Sequence, residues 1–386
     1  MVLDVTQVMA GPYCAMLLAD MGARVIKVEA PHGDSTRAMA GGAAGESHAF
    51  NAVNRGKLGV VLDLRVAEAR DACRRLAAGA DILIENFRPG VMAKLGLDYA
   101  TLALEHPRLI YASISGYGQT GPWASKGGFD LVAQGVSGIM SVTGEPGAPP
   151  VKAGIPVTDL GAGLFALAGI LGALHHRDRT GQGQHIDTSL VDAGLALSVW
   201  EATEHFSGRG VPEPLGSAHR MTAPYQAFRC ADGYLTIGAG NQRMFERLAE
   251  VLGRPEWIGD SRFVTDTTRV AHRRALADAI ERETATGTRA DWLARLDAAG
   301  IPCGPILDYA EAFDAPQARA REMSLEVDHP VLGRIRTLGT PLKLSATPLD
   351  PTGRAPLLGE HTTEVLSALG YSAAAIARMS GGAGAA

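Results

Sequence analysis

The first 115 residues alternate between two kinds of stretch, and that alternation limits the fold more than any other feature. Short β-branched or aliphatic runs stand at residues 2–8, 23–29, 59–64, 81–86 and 109–114. Between them, residues 13–21, 65–78 and 89–95 read as helices, the first set up by Pro12 and closed by Gly22. A strand, a helix and a second strand in so short a span pair in parallel through a crossover. The expectation is an α/β protein with a doubly wound, Rossmann-like parallel sheet covered by helices. Ligands of such sheets bind beyond the carboxyl ends of the strands. The glycine-rich loop Ser115-Gly116-Tyr117-Gly118-Gln119-Thr120-Gly121-Pro122 follows the fifth run and sits at that edge.

The chain of 386 residues is long enough for a second domain. Composition shifts near residues 207–224, where Pro212 and Pro214 fall among three glycines. We therefore expect a large domain from 1–205, a smaller α+β domain from 206–320, and a return to the large domain over 321–386. Glycine-rich residues 31–57 read as loop, Gly42 and Gly45 included, and residues 380–386 as a frayed tail. A net charge of −5 gives no footprint for nucleic acid or an anionic membrane. The longest apolar stretch, residues 160–174, contains four glycines and reads as a buried helix rather than a membrane span. Cys14, Cys73, Cys230 and Cys303 are scattered, with no CxxC pair and no histidine at metal-ligand spacing. They read as reduced thiols of a cytoplasmic protein with no metal site.

Familiar nucleotide motifs are absent. Neither GxxxxGK[ST] nor GxGxxG follows the first strand, and there is no GxSxG elbow. Gly238-Ala239-Gly240 is only a GxG, and His175-His176 lies near a helix end without an HExxH context. One carboxylate stands out. In Lys152-Ala153-Gly154-Ile155-Pro156-Val157-Thr158-Asp159-Leu160-Gly161, Asp159 lies where a proline-containing connection turns into an apolar helix. Two readings compete. Asp is a favoured N-cap, worth about 1 kcal/mol. A carboxylate at a helix start is also a nucleophile held near free N–H groups.

Eight collinear segments resemble the class III (CaiB/BaiF-type) CoA-transferase family. They are residues 2–12, Gly22-Ala23-Arg24-Val25-Ile26-Lys27-Val28-Glu29, Gly33-Asp34-Ser35-Thr36-Arg37, Asn54-Arg55-Gly56-Lys57, Glu85-Asn86-Phe87-Arg88-Pro89-Gly90, Ser115-Gly116-Tyr117-Gly118, Thr158-Asp159 and Thr180-Gly181-Gln182-Gly183-Gln184. The resemblance implies a large doubly wound domain built by both chain ends, a smaller central domain and an interlocked homodimer. It implies Asp159 as the nucleophile. It sets coenzyme A against Arg37, Leu62, Asn86, Phe87, Lys94 and the segment Val8-Met9-Ala10. It also brings Asp130 near the site, and makes Gly238 and Gly240 a loop that shields the intermediate. Each residue has a plainer reading: a loop cation, a strand end, a core aromatic, a surface lysine, an isolated carboxylate, a tight turn. On the family reading an acyl-CoA thioester and a free carboxylic acid are the substrates, and no cofactor is held permanently.

The same fold includes α-methylacyl-CoA racemases, which use a histidine before the acid of the Gly-Gly-Phe129-Asp130 region and a glutamate after Gly238. Phe129 carries no proton here, and Gly240-Asn241-Gln242 offers only amides. Members acting on oxalate carry glutamine where this chain has Met9. Residues 151–163 look closer to members using C4–C5 dicarboxylates such as succinyl-CoA. The expectation is a CoA-transferase with a dicarboxylic donor; the alternative is an α-methylacyl-CoA racemase-like or other acyl-CoA-transforming or CoA-binding relative of the same fold.

Overall fold

The computed structural model describes residues 1–41 and 46–381. Gly42, Gly45 and the tail from 382 lie outside the described residues. The chain divides into two compact units. The first comprises residues 1–140, 152–209 and 316–386, the second residues 141–151 and 210–315.

In the first unit the elements run β1 (Val2–Asp4), α1 (Ala10–Asp20), β2 (Val25–Glu29), α2 (His48–Asn54), β3 (Lys57–Val61), α3 (Ala67–Ala78), β4 (Ile82–Glu85), α4 (Val91–Leu95), α5 (Tyr99–Glu105), β5 (Ile110–Ser115) and α6 (Asp130–Val136). After α7 (Ile139–Val142), whose last two residues belong to the second unit, come α8 (Val157–Thr180) and β6 (His185–Ser189). The six strands pair in parallel in the order β3-β2-β1-β4-β5-β6. Strands β1, β2, β4 and β5 are buried along their whole length, as a sheet covered on both faces requires. Side chains alternate between the two covering layers. Leu3, Ile26, Val60 and Leu83 pack with Ala69, Cys73 and Leu76 of α3 and with Leu366 and Ile376 near the C-terminus. Val2, Val25, Ile82 and Ile110 pack with Cys14 and Leu17 of α1 and with Ala166 and Ile170 of α8. Burial pushes the Cys14 and Cys73 thiols up to about 12, so both are inert packing groups.

The strand order reverses beside β1: the chain adds β2 and β3 on one side, then β4 on the other. The crevice outside the carboxyl ends of β1 and β4 is the topological switch point, where such sheets take ligands.

The second unit holds an antiparallel sheet of β7 (Tyr225–Cys230), β8 (Gly233–Gly238) and β9 (Cys303–Pro305). Its core gathers Phe228, Leu235, Phe245, Trp257, Phe263 and Trp292. A hairpin of β10 (Ser324–His329) and β11 (Gly333–Leu338) belongs to the first unit.

Several local expectations shift. Boundaries read at 205/206 and 320/321 fall at 209/210 and 315/316, and residues 141–151 join the second unit, which the sequence did not suggest. Helix α1 starts at Ala10, three residues before the helix expected over 13–21. Further along, the helices Leu190–Leu197 and Val199–Phe206 meet at Ser198, and Asp266–Ala271 and Arg273–Thr284 meet at His272. Helix α8 spans 24 residues and is long and apolar enough, by length and composition alone, to cross a membrane. Gly161, Ala162, Ala166, Ile170 and Ala173 bury one face of it within the first unit, while Leu164, Phe165 and Leu171 of the supposed buried helix are exposed.

Candidate active site

The site lies at the switch point and is built from the first turns after the strands. After β1 the chain makes a sharp kink. Val8 adopts a φ of 69°, a left-handed conformation that a β-branched residue rarely takes. The kink is clamped from both sides. Asp34 accepts the Val8 N–H at 3.1 and 3.3 Å. Asn86, just past β4, pairs reciprocally with Gln7: the Gln7 N–H donates to Asn86 Oδ1 at 2.8 Å and Asn86 Nδ2 donates to the Gln7 carbonyl at 2.7 Å. Beneath lies a network of wholly buried charges. Lys27 Nζ reaches Asp34 at 3.3 Å and the Thr6 carbonyl at 2.9 Å. Lys57 Nζ reaches Asp4 at 2.8 Å, with the Pro12 carbonyl and Asn54 Oδ1 completing its shell. Burial pulls Lys57 down to about 8; for Asp4 burial works upward, but Lys57 and Lys27 outweigh it and its net shift is down. The kink delivers the chain into α1, whose cap residue Met9 makes no side-chain cap. The N–H groups of Met9 and Ala10 donate to no group among the described residues, leaving the positive end of α1 open.

Asp159 faces the same space. It is the third residue of α8, not its cap; Pro156 holds the cap position and makes no side-chain bond. The capping work falls to Asp130, at the start of α6. Its Oδ1 accepts the Thr158 N–H at 3.0 Å and the Thr158 hydroxyl at 2.7 Å, and Gln134 Nε2 donates to its Oδ2 at 2.7 Å. The cap reading of Asp159 is thus replaced by a cap from 29 residues earlier in the chain. Asp159 itself accepts no hydrogen bond among the described residues. Burial first, and the neighbouring Asp130 charge second, push its carboxyl up to about 7. These two causes override the ionising influence expected of the helix N-terminus.

Gly161 and Gly163, beside Asp159 on α8, allow close packing. A Cβ on Gly163, one turn along the same face, would stand 2.8 Å from the Ala10 carbonyl oxygen. That contact lets the open end of α1 lie close to Asp159. Across the cavity, Gly116 and Gly128 bring two loops together: a Cβ on Gly116 would stand 2.7 Å from the Gly128 Cα.

Two cavities result, each of about 300 Å³. The one that holds Asp159 is lined by Gln7, Val8, Met9, Ala10, Asn86, Phe87, Arg88, Gly116, Lys126, Phe129 and Asp159. The other, lined by Pro31, His32, Leu62, Leu64, Arg65, Phe87 and Leu95, sits over β1–β3. Gln7 and Phe87 border both.

The sequence-derived candidates are placed as follows. Asp159, Met9, Ala10, Asn86 and Phe87 come together, and Leu62 lines the adjoining cavity. Asn86 lines the site while its amide holds Gln7. Arg37 does not face either cavity. It is buried, with its guanidinium on Glu29, Glu46 and the Pro356 carbonyl and its plane 3.6 Å over the Phe50 ring. It is a scaffold cation, not a loop cation open to phosphate. Lys94 is exposed on α4, whose next residue, Leu95, lines the adjoining cavity. Asp130 acts on α8 rather than lining the cavity. Gly238 ends β8 in the second unit, and Thr222 Oγ1 donates to the Gly240 carbonyl at 2.8 Å there. Asn241 caps the helix Gln242–Val251 and Gln242 accepts from Arg269, so these amides are engaged in structure. The sequence reading missed Arg88, Lys126 and the Asp34 clamp. Arg88 stood within a quoted motif, but nothing local marks which of its residues points into the cavity.

Comparison with known proteins agrees with this architecture. The chain is 40% identical to a succinate–glutarate CoA-transferase of Agrobacterium fabrum over 376 residues, 95% of this chain and 94% of that protein. It is 42% identical to an acetyl-CoA:oxalate CoA-transferase of Acetobacter aceti over 370 residues, 94% of this chain and 92% of that one. A crystal structure of a CaiB/BaiF family protein from Brucella suis superposes with a TM-score of 0.84 at 40% identity, covering 95% of this chain and 97% of that one. The model of the family described as CoA-transferase family III matches residues 1–362, and with a match of that extent the chain belongs to CoA-transferase family III.

Proposed function

We propose that this protein moves coenzyme A from a dicarboxylic acyl-CoA, of the succinyl-CoA kind, to a free carboxylic acid through covalent attachment to Asp159. One observation carries the reading: a half-buried carboxylate with no hydrogen-bond partner shares a small cavity with the unbonded N–H groups of Met9 and Ala10. An Asp159 oxygen attacks the acyl carbon; the C–S bond breaks, the CoA thiolate leaves, and an acyl-aspartyl anhydride forms. The thiolate attacks the aspartyl carbonyl and the donor acid departs as its carboxylate, leaving an aspartyl-CoA thioester. The acceptor carboxylate attacks that thioester and the two steps run in reverse. No proton is gained or lost overall, and the reaction asks for no resident cofactor. The Met9 and Ala10 N–H groups supply fixed dipoles for the oxyanions. Coenzyme A runs from the apolar cavity around Leu62 and Leu64 past Phe87 to Asp159. Phe129 stands 72% exposed where a racemase has its histidine, which speaks against proton abstraction.

We propose further that the working form is a homodimer of interlocked chains. Leu164 and Phe165 of α8, with Leu195, Val199, Trp200 and Phe206 beyond it, are exposed on one chain, an apolar surface typical of an obligate interface. Light scattering after size-exclusion chromatography checks this, and a stable monomer at micromolar concentration would refute it.

The covalent step is tested by mass spectrometry. Incubation with succinyl-CoA alone, then borohydride or hydroxylamine trapping, is expected to modify Asp159. Full transferase activity in Asp159→Ala would sink the mechanism.

A further inference from the structure

The geometry points to Arg88 as the residue that reads the distal carboxylate of the donor acyl group and of the acceptor acid. This rests on the transferase reading above and deepens it, since nothing so far explains how the site tells a dicarboxylic acid from a simple one. A second carboxylate brought into a cavity that already holds Asp159 needs a cation there.

Two cations border the catalytic cavity, Arg88 and Lys126. Lys126 has its ammonium 4.3 Å over the Trp123 ring. The Arg88 guanidinium makes no hydrogen bond or ion pair with another described residue; the residue's one bond is at its backbone carbonyl, which accepts the Val91 N–H at 3.1 Å. Its nearest carboxylate along the chain, Glu85, is occupied with the Phe87 N–H at 2.8 Å and with Ser113. Room for the guanidinium is kept by the absence of a side chain opposite: a Cβ on Gly127 would stand 2.9 Å from Arg88 Nη2. Gly127 lines the catalytic cavity. The planar fork of an arginine accepts a carboxylate through two parallel N–H donors, which a lysine cannot match. The approach is also fixed at its base. Asn86 and Glu85 hold the turn from which Arg88 projects, so the fork starts from a pinned position. A cavity of about 300 Å³ suits a short diacid.

The experiment compares kcat/KM for succinyl-CoA with kcat/KM for butyryl-CoA, the same length without the distal carboxylate, in wild type, Arg88→Met, Arg88→Lys and Lys126→Met. Losing a charge-assisted bidentate contact is worth about 10- to 100-fold. Arg88→Met is expected to lower the succinyl-to-butyryl ratio by that factor, and Arg88→Lys to recover only part of it. Thermal melting shows whether each variant is folded. An equal fall for both thioesters would mean that Arg88 holds the CoA moiety instead, and overturns the assignment. So does an unchanged ratio in Arg88→Met, or a Lys126→Met variant that carries the whole discrimination. Trapping of the Asp159 adduct is read in parallel. Wild type without an adduct defeats the covalent mechanism; an adduct in both wild type and Arg88→Met with an unchanged ratio defeats only the role of Arg88.

Discussion

Asp159 sits with a carboxyl raised to about 7, although the proposed attack on the thioester requires the ionised form. Activity should therefore fall about tenfold per pH unit as pH drops below about 7, read as kcat/KM against pH. Burial is the larger cause and Asp130 the second. Asp130→Asn keeps an oxygen for the Thr158 N–H but removes the charge, so the midpoint should move to lower pH while staying above the ordinary 3.8. An unmoved midpoint would show that the Asp130 charge does not reach Asp159. The same shift has a stability sign. Between about pH 4 and 7 the folded protein keeps a proton on Asp159 that the unfolded chain has released, so stability from this group falls as pH rises through that window. Asp159→Asn should melt about 2 °C or more above wild type at pH 8, with the gap closing near pH 4. At this scale the sequence was readable in part. Asp159 stood out because a lone acid among glycines and aliphatics has few uses. Its cap was not readable, because the group that caps α8 is Asp130, and only the folded chain brings α6 to that end. Arg37 misled for the same reason: Glu29, Glu46 and Pro356 enclose it from three separate segments.

At the level of elements, the contact of α1 with α8 sets the distance from the open N–H groups to Asp159. Gly163→Ala puts a methyl against the Ala10 carbonyl and should cost about 1–3 kcal/mol, with a loss of kcat in the surviving folded protein. The paired change Gly172→Ala lies on the same helix with nothing within 4 Å of the new Cβ. It should instead stabilise by about 0.5–1 kcal/mol. Urea unfolding of the two variants checks both signs, and similar losses would mean that helix propensity, not the close approach, decides. The strands were legible because a parallel sheet buried on both faces leaves unbroken apolar runs. Helix starts were less so: the residues at the cap positions of α1 and α8, Met9 and Pro156, make no side-chain cap, and α6 follows Gly127-Gly128-Phe129 with only Asp130 in its first turn to mark it.

Across the whole molecule, the proline- and glycine-rich crossing near residue 210 was visible as a change in composition. The short excursion of residues 141–151 into the second unit was not, since its turn residues look like any surface loop. The buried pairs Lys27–Asp34 and Lys57–Asp4 have a further consequence. Their side chains are fully enclosed, so dissolved ions cannot screen them as they screen surface charges. The floor under Val8, Met9 and Ala10 is then insensitive to ionic strength, whereas on the proposed reading the CoA phosphates would meet charges at the surface, which salt screens. Raising salt from low to near-molar concentration should lift the KM for acyl-CoA while leaving kcat nearly flat. On that outcome the medium sets the affinity of the proposed transferase and leaves its chemistry untouched.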